Sequence, residues 1–333
     1  MLRSETAANP ERLTAALAGL RRYQEAPRAP PEPPMPAIAE AEGAALRDYC
    51  LAGGSGPPIL FIPSLINPPN ILDLPGRSLL RWLAEQGHRP VLVDWGWDIG
   101  RRRALGVAGH VEHIVLPLIE ALGEKPAVVG YCLGGTMAVA AAQLADAPAL
   151  ATIAAPWHFS GFEEGPRSMI ASLWRDSRAA AEALGMLPME VLQSAFWNLD
   201  PARTIGKFEA FAAFDSGSPE AKAFVTLEDW ANDGPPIPEA AAREMFEGLF
   251  AADLPGTGVW RAGGQAIDPA ALPCPSLHIV STVDRIVPSE TAIRAGERID
   301  LDLGHVGMVI GSRARERLWN PLSAWLSRTS ASC

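Results

Sequence analysis

Cysteine is scarce in this chain: four residues in 333, at positions 50, 132, 274 and 333, with no CxxC pair among them. That spacing excludes a zinc ribbon and a secreted disulfide scaffold, and it leads us to expect a reducing, cytoplasmic setting. Basic charge is in deficit as well. Against 38 Asp and Glu there are 28 Lys and Arg, a formal net charge of −10, so the basic face of a nucleic-acid binder is missing. The one compact basic run, Arg101-Arg102-Arg103, is expected to be a solvated loop rather than an anion site. The opening residues Met1-Leu2-Arg3-Ser4-Glu5-Thr6 do not lead into an apolar h-region, so no secretory signal is read there. The longest apolar stretch, Pro126 to Ala145, is interrupted by glycines and reads as a buried strand turning into a buried helix, not as a membrane span. No internal repeat is found. His110 and His113, in His-Val-Glu-His, match no usual zinc-protease spacing and are expected to pack or face solvent.

What is present is a large apolar fraction, 48% of residues, arranged in alternation. Residues 10–25 suit a short helix, and the prolines at 30, 31, 33 and 34 make the following stretch a connector. From about Ala44, strand-like runs alternate with helical patterns: strands at 58–62, 90–94, 127–131, 150–154, 276–281 and 298–303, and helices at 76–86, 106–122, 133–144, around 289–296 and at 312–326. The expectation is an α/β protein with a mostly parallel sheet and helices on both faces. Residues 159–271 break the rhythm. They are helical in parts and carry Trp174, Trp197, Trp230 and Trp260, which read first as the core of an inserted lobe. The expected organisation is an N-terminal helix and connector (1–43), a core (44–158 and 272–333) and a helical cap insertion (159–271).

Residues 128–135 carry the chemistry: Val-Val-Gly-Tyr-Cys-Leu-Gly-Gly. A short strand ending in Gly-x-Cys-x-Gly is the nucleophile elbow of an α/β-hydrolase fold, with Cys132 where serine is usual. A thiol near its ordinary pKa is mostly protonated at pH 7, so Cys132 requires a base. Of six histidines, His305 stands after the last strand and before the closing helix, where the chain order of nucleophile, acid and histidine places it. The acid belongs on the loop after the preceding strand, which points to Asp284; Asp300 and Asp302 fall within a strand pattern. The oxyanion donors are expected from the amide of Leu133 and from that of Leu65, with one residue of latitude either way, on the loop after the 58–62 strand. Asn67, Tyr131 and His158 are candidate substrate contacts, His158 having a hydrogen-bonded structural role as the simpler alternative. Cys50 and Cys274 are expected to be buried small hydrophobes.

Gly130-Tyr131-Cys132-Leu133-Gly134-Gly135-Thr136 resembles the lipase-like box of poly(3-hydroxyalkanoate) synthases, as do Leu65-Ile66-Asn67, Ile71-Leu72-Asp73-Leu74, Asp94-Trp95-Gly96, Asp284-Arg285-Ile286-Val287-Pro288 and Gly304-His305-Val306-Gly307. The similarity runs from about Pro58 to Leu326 and is greatest to the short synthases that work with a second subunit. The resemblance implies that Cys132 carries the growing acyl chain and that His305 deprotonates it, while Asp284 either activates the incoming hydroxyl or orients His305. It implies a hydroxyacyl-CoA substrate, a second synthase subunit or a homodimer as partner, polyester granules as a site of work, and no metal or prosthetic group. A cysteine-dependent thioesterase or esterase, and a non-catalytic granule- or synthase-binding relative, are the alternatives.

Overall fold

The computed structural model describes residues 2–30, 32–50 and 56–330; Pro31 of the connector and Cys333 lie outside them. Among the described residues the main sheet has eight strands: β1 (Ala37–Ala41), β2 (Ala44–Asp48), β3 (Pro58–Ile62), β4 (Arg89–Asp94), β5 (Ala127–Tyr131), β6 (Leu150–Ile153), β7 (Ser276–Ser281) and β8 (Glu297–Leu301). Their spatial order is β1-β2-β4-β3-β5-β6-β7-β8. The pairs β1–β2 and β2–β4 are antiparallel, and every other pair is parallel. The central strands β3, β5, β6 and β7 are buried along their whole length, as expected for parallel strands covered on both sides.

The order of the strands positions the site. Helix α1 (Leu79–Glu85) carries the chain from β3 outward to β4. A continuous helix α2 (107–122), with a π-helical turn at Val111–Val115, then carries it back past β3 to β5. Right-handed crossovers in opposite directions place α1 on one face and α2, with α3 (Leu133–Leu144), on the other. The reversal lies between β3 and β5, and the crevice at the carboxyl ends of strands at such a point is where α/β sheets bind ligands.

Several expectations are corrected. The stretch 37–48 forms the β1–β2 hairpin, turning at Glu42-Gly43 with φ of 47° and 82°; its five-residue strands of alanine and charge carry little apolar periodicity. No helix forms around 289–296, only a single 3-10 turn at Ser289–Thr291. The Thr291 carbonyl accepts from the amides of Trp157 (2.7 Å) and His158 (2.9 Å), so the chain after β6 takes the acceptor that would propagate a helix. The basic run is only partly solvated: Arg101 and Arg103 are exposed, but Arg102 is 2% exposed. Cys50 and Cys274 are half-buried rather than buried. His113 faces solvent, whereas His110 is fully buried, bonded through Nδ1 to the Gly106 carbonyl at 2.7 Å.

By packing, the chain divides into two units, residues 1–33 with 190–233, and residues 34–189 with 234–333. In the smaller unit the helix Pro10–Glu25 begins at an Asn9 side chain that accepts from the amides of Glu11 and Arg12, both at 3.1 Å. It packs on the helix Pro201–Ala212, where Gly19 meets the Phe208 carbonyl so closely that any Cβ would overlap it. Arg12 pairs with Glu209 (2.9 Å) and Tyr23 donates to Asp229 (2.7 Å), around a core in which Phe211 and Phe224 stack at 4.2 Å. In the larger unit Trp174 stacks on Phe246 and Trp260 packs edge-on to Trp157; all three tryptophans are buried, whereas Trp197 of the smaller unit is 44% exposed. No helix among the described residues is long and apolar enough to cross a membrane.

Candidate active site

Cys132 follows β5 directly and caps α3 with φ 56° and ψ −131°, a strained backbone for a residue with a Cβ. This is the strand-to-helix elbow that presents one side chain at the end of a sheet. The Cys132 amide donates to the Ile153 carbonyl at 3.0 Å, fixing the elbow to β6. Two glycines allow the turn by close approach. A Cβ on Gly130 would run into Gly134, Gly135 and Ala138, and a Cβ on Gly134 would lie 2.5 Å from the Pro63 carbonyl oxygen. The first turn of α3 therefore rests directly on the loop after β3. The Cys132 thiol is half-buried at this point.

His305 comes from the loop after β8 and Asp284 from the loop after β7; each is 8% exposed. His305 Nδ1 donates to Asp284 Oδ2 at 2.6 Å. The other carboxylate oxygen accepts from the amides of Ile286 (2.7 Å) and Val287 (3.2 Å), which locks the acid's rotamer. Burial works against the His305 imidazolium, but the Asp284 carboxylate, the charge of Cys132 and hydrogen bonds to both outweigh it, and the ring's pKa is raised. The structure thus brings Cys132, His305 and Asp284 together from three loops. Asp300 and Asp302 lie away from this pair, engaged with Arg298 and with Arg313 and Arg317.

Tyr131 is buried beside the same group. Its ring centroid is 5.1 Å from that of His305, and its hydroxyl donates to the His305 carbonyl at 3.3 Å. Burial, with Cys132 and Asp284 close by, pushes its pKa well up, so it is a neutral donor. Leu133 heads α3, where helix geometry leaves the first amides without an intrahelical acceptor. Leu65 is 6% exposed on the loop after β3. Asn67, further along this loop, adopts φ 64°, and Gly234 sits so close that a Cβ there would be 3.3 Å from Asn67 Cα. His158 is half-buried after β6; burial and the nearby Arg294 lower its pKa.

Sequence reasoning named Trp95 only within the stretch Asp94-Trp95-Gly96, singled out neither Ser64 nor Asp253, and assigned none of them the role of holding these loops. Trp95 Nε1 donates to the carbonyls of Ser64 (3.1 Å) and Pro63 (3.3 Å), and Ser64 Oγ accepts from the Ile66 amide at 3.0 Å. The buried Asp253 carboxylate accepts from the amides of Phe159 (2.8 Å), Ser160 (3.1 Å) and Gly256 (3.1 Å), fastening the loop that bears His158. A tryptophan after Asp94 and an aspartate in a distant turn carry no local signal of these partners.

No family model matches the chain. It is 26% identical over 295 residues to the poly(3-hydroxyalkanoate) polymerase subunit PhaC of Haloferax mediterranei, which covers 82% of this chain and 59% of that protein. It is 24% identical over 320 residues to the PhaC of Thiocystis violacea, covering 89% of both. The chain thus spans less than two thirds of the haloarchaeal relative's length. Among solved structures, a carboxylesterase of Nitrososphaera gargenis superposes with TM-score 0.54 at 16% identity, over 87% of this chain and 97% of the other. A monoacylglycerol lipase of Paleococcus ferrophilus superposes with TM-score 0.53 at 13% identity, over 86% and 99%. The fold is therefore that of the α/β-hydrolases. Within that fold, the chain resembles the poly(3-hydroxyalkanoate) synthase family over most of its sequence.

Proposed function

We propose that this chain is an acyltransferase of the polyhydroxyalkanoate synthase type that polymerises 3-hydroxyacyl-CoA through a thioester on Cys132. The observation that carries the reading is a thiol on a strained elbow beside an imidazole whose other nitrogen is bonded to a buried carboxylate at 2.6 Å. His305 takes the thiol proton, and the thiolate attacks the thioester carbonyl. The oxyanion forms against the amides of Leu133 and Leu65, and CoA departs with the proton held by His305. One thioester has replaced another, so the acyl group stays activated. A hydroxyl from a second hydroxyacyl unit then attacks, giving up its proton to His305, and the ester bond forms as the Cys132 sulfur leaves.

In this reading Asp284 holds the His305 ring and its proton, and Asn67, Tyr131 and His158 surround the acyl group or the residues that hold it. Within the larger unit, residues 159–189 and 234–271 serve as a cap over the strand ends. The similarity to PhaC subunits supports hydroxyacyl-CoA as substrate, a second synthase subunit or a second copy as partner, and work at a polyester granule inside the cell. The test is to supply 3-hydroxybutyryl-CoA to the purified chain, alone and with candidate partner subunits. Insoluble polyester with CoA release, abolished in Cys132→Ala, is the expected result. Free hydroxy acid without polymer turns the assignment to a thioesterase; no CoA release under any condition turns it to a binding relative.

A further inference from the structure

Arg102 is the most unusual charge in the larger unit. Its side chain is 2% exposed, and no carboxylate lies within ion-pair distance of it among the described residues. Its guanidinium instead donates to two backbone carbonyls, through one terminal nitrogen to Trp95 and through the other to Gly96 at 2.9 Å, while Nε has no partner. With Asp98 and Asp94 acting on it only from beyond ion-pair distance, its burial is the dominant electrostatic effect and lowers its pKa, so holding this charge here is expensive. A neutral residue could fill the same space at less cost, so what this one achieves is the fixing of two carbonyls at once, a task matched to the planar fork of guanidinium.

Those carbonyls bracket the residue that supports the loop after β3. Trp95 continues from β4, is 2% exposed, and forks its indole N–H between the carbonyls of Pro63 and Ser64. Gly96, at φ 65°, lies so near the β1–β2 turn that a Cβ there would be 2.7 Å from the Gly43 carbonyl oxygen, so the backbone at 95–96 is held from the other side. His110 packs edge-on against the Trp95 ring, with centroids 5.8 Å apart. Between the Ser64 carbonyl, tied to Trp95, and the Ile66 amide, tied to Ser64 Oγ, stands Leu65. Its peptide N–H can point only where these two flanking bonds allow.

We propose that Arg102 is a positioning residue that aims the Leu65 amide into the oxyanion site by way of Trp95. The proposal rests on the reading of Cys132 as nucleophile and of the loop after β3 as oxyanion donor. An oxyanion donor acts only if its hydrogen stands where charge develops, and small displacements of such a group are costly in rate.

Two reactions of the same sulfur separate this role from general support. Acylation of Cys132 by 3-hydroxybutyryl-CoA, followed as CoA release in a single turnover, passes through an oxyanion. Alkylation of Cys132 by iodoacetamide displaces iodide at a saturated carbon and forms none. In Arg102→Met and in Trp95→Phe, which keeps an aromatic ring but removes the indole N–H together with the second ring, acylation is expected to fall by about tenfold to hundredfold. Alkylation is expected to be unchanged. Arg102→Lys, which keeps the charge but replaces the planar fork of two terminal nitrogens by a single nitrogen, is expected to fall between. A parallel fall in both reactions, or no fall in acylation, overturns the proposal. If Arg102→Met does not fold, Trp95→Phe carries the comparison. Wild-type protein that is alkylated but never acylated sinks the oxyanion reading and this proposal with it, whereas wild-type and Trp95→Phe proteins acylated equally sink the proposal alone.

Discussion

Replacing Asp284 by asparagine tests the electrostatic core of the proposed mechanism. The carboxylate makes the 2.6 Å bond to His305 Nδ1 and accepts two backbone amides with its other oxygen. Asparagine preserves the shape and can keep the amide bonds through its carbonyl, but it removes the charge. Burial, which opposes the imidazolium, is then left without its main counterweight. Breaking a buried charge pair costs about 3–5 kcal/mol, and at 1.36 kcal/mol per decade this is a loss of about two to nearly four orders of magnitude in any step that needs the His305 proton acceptor. The assay is the second-order rate of Cys132 alkylation by iodoacetamide, followed by intact mass between pH 6 and 10, in wild type and Asp284→Asn. The sign of the stability effect follows from the same pair. Because the folded pKa of His305 is raised above 6.5, its contribution to stability is complete below that value and is lost as pH rises through the folded one. Thermal midpoints of the wild type therefore decline on the alkaline side by an amount that Asp284→Asn lacks. Alkylation profiles that coincide, with the same alkaline decline in both proteins, refute the reasoning. Unchanged alkylation with lost polymerisation would instead assign Asp284 to the incoming hydroxyl.

Further outcomes are expected elsewhere. Gly134→Ala places a Cβ 2.5 Å from the Pro63 carbonyl oxygen, an overpacking that should cost about 1–3 kcal/mol in urea unfolding and slow acylation as α3 shifts. Asp253→Ala leaves the amides of Phe159, Ser160 and Gly256 without their acceptor; about 3 kcal/mol or more is expected to be lost, with faster hydrogen exchange at 159–160, and unchanged exchange there would contradict the assigned role. His110 and His278 are held neutral by burial, with pKa values lowered to about 4 from 6.5. The unfolded chain binds these protons first, so stability should fall as pH drops from 6.5 toward 4, by up to about 3 kcal/mol for each histidine. In His278→Gln the acid loss should be correspondingly smaller, measured as the urea midpoint against pH.

The buried parallel strands were legible because each is a short, continuous apolar run: the bounds of β3, β5 and β7 and of α3 agree with the pattern in the sequence to the residue. The elbow was legible because its glycines and Cys132 act within a few residues of one another. The β1–β2 hairpin was not, since its alanines and charges carry no strong period. The helix expected at 289–296 failed because the chain after β6 competes for the Thr291 carbonyl.

The sequence by itself determined the order of nucleophile, acid and base candidates and the local chemistry of each, because elbow, strand and turn are set by neighbours along the chain. Position after the preceding strand also pointed to Asp284 over Asp300 and Asp302, but only the tertiary structure decided that Tyr131 lies against the imidazole and that Arg102 is buried behind Trp95. Those outcomes depend on which strand ends adjoin across the sheet, and side-chain distances between remote segments leave no trace in local pattern.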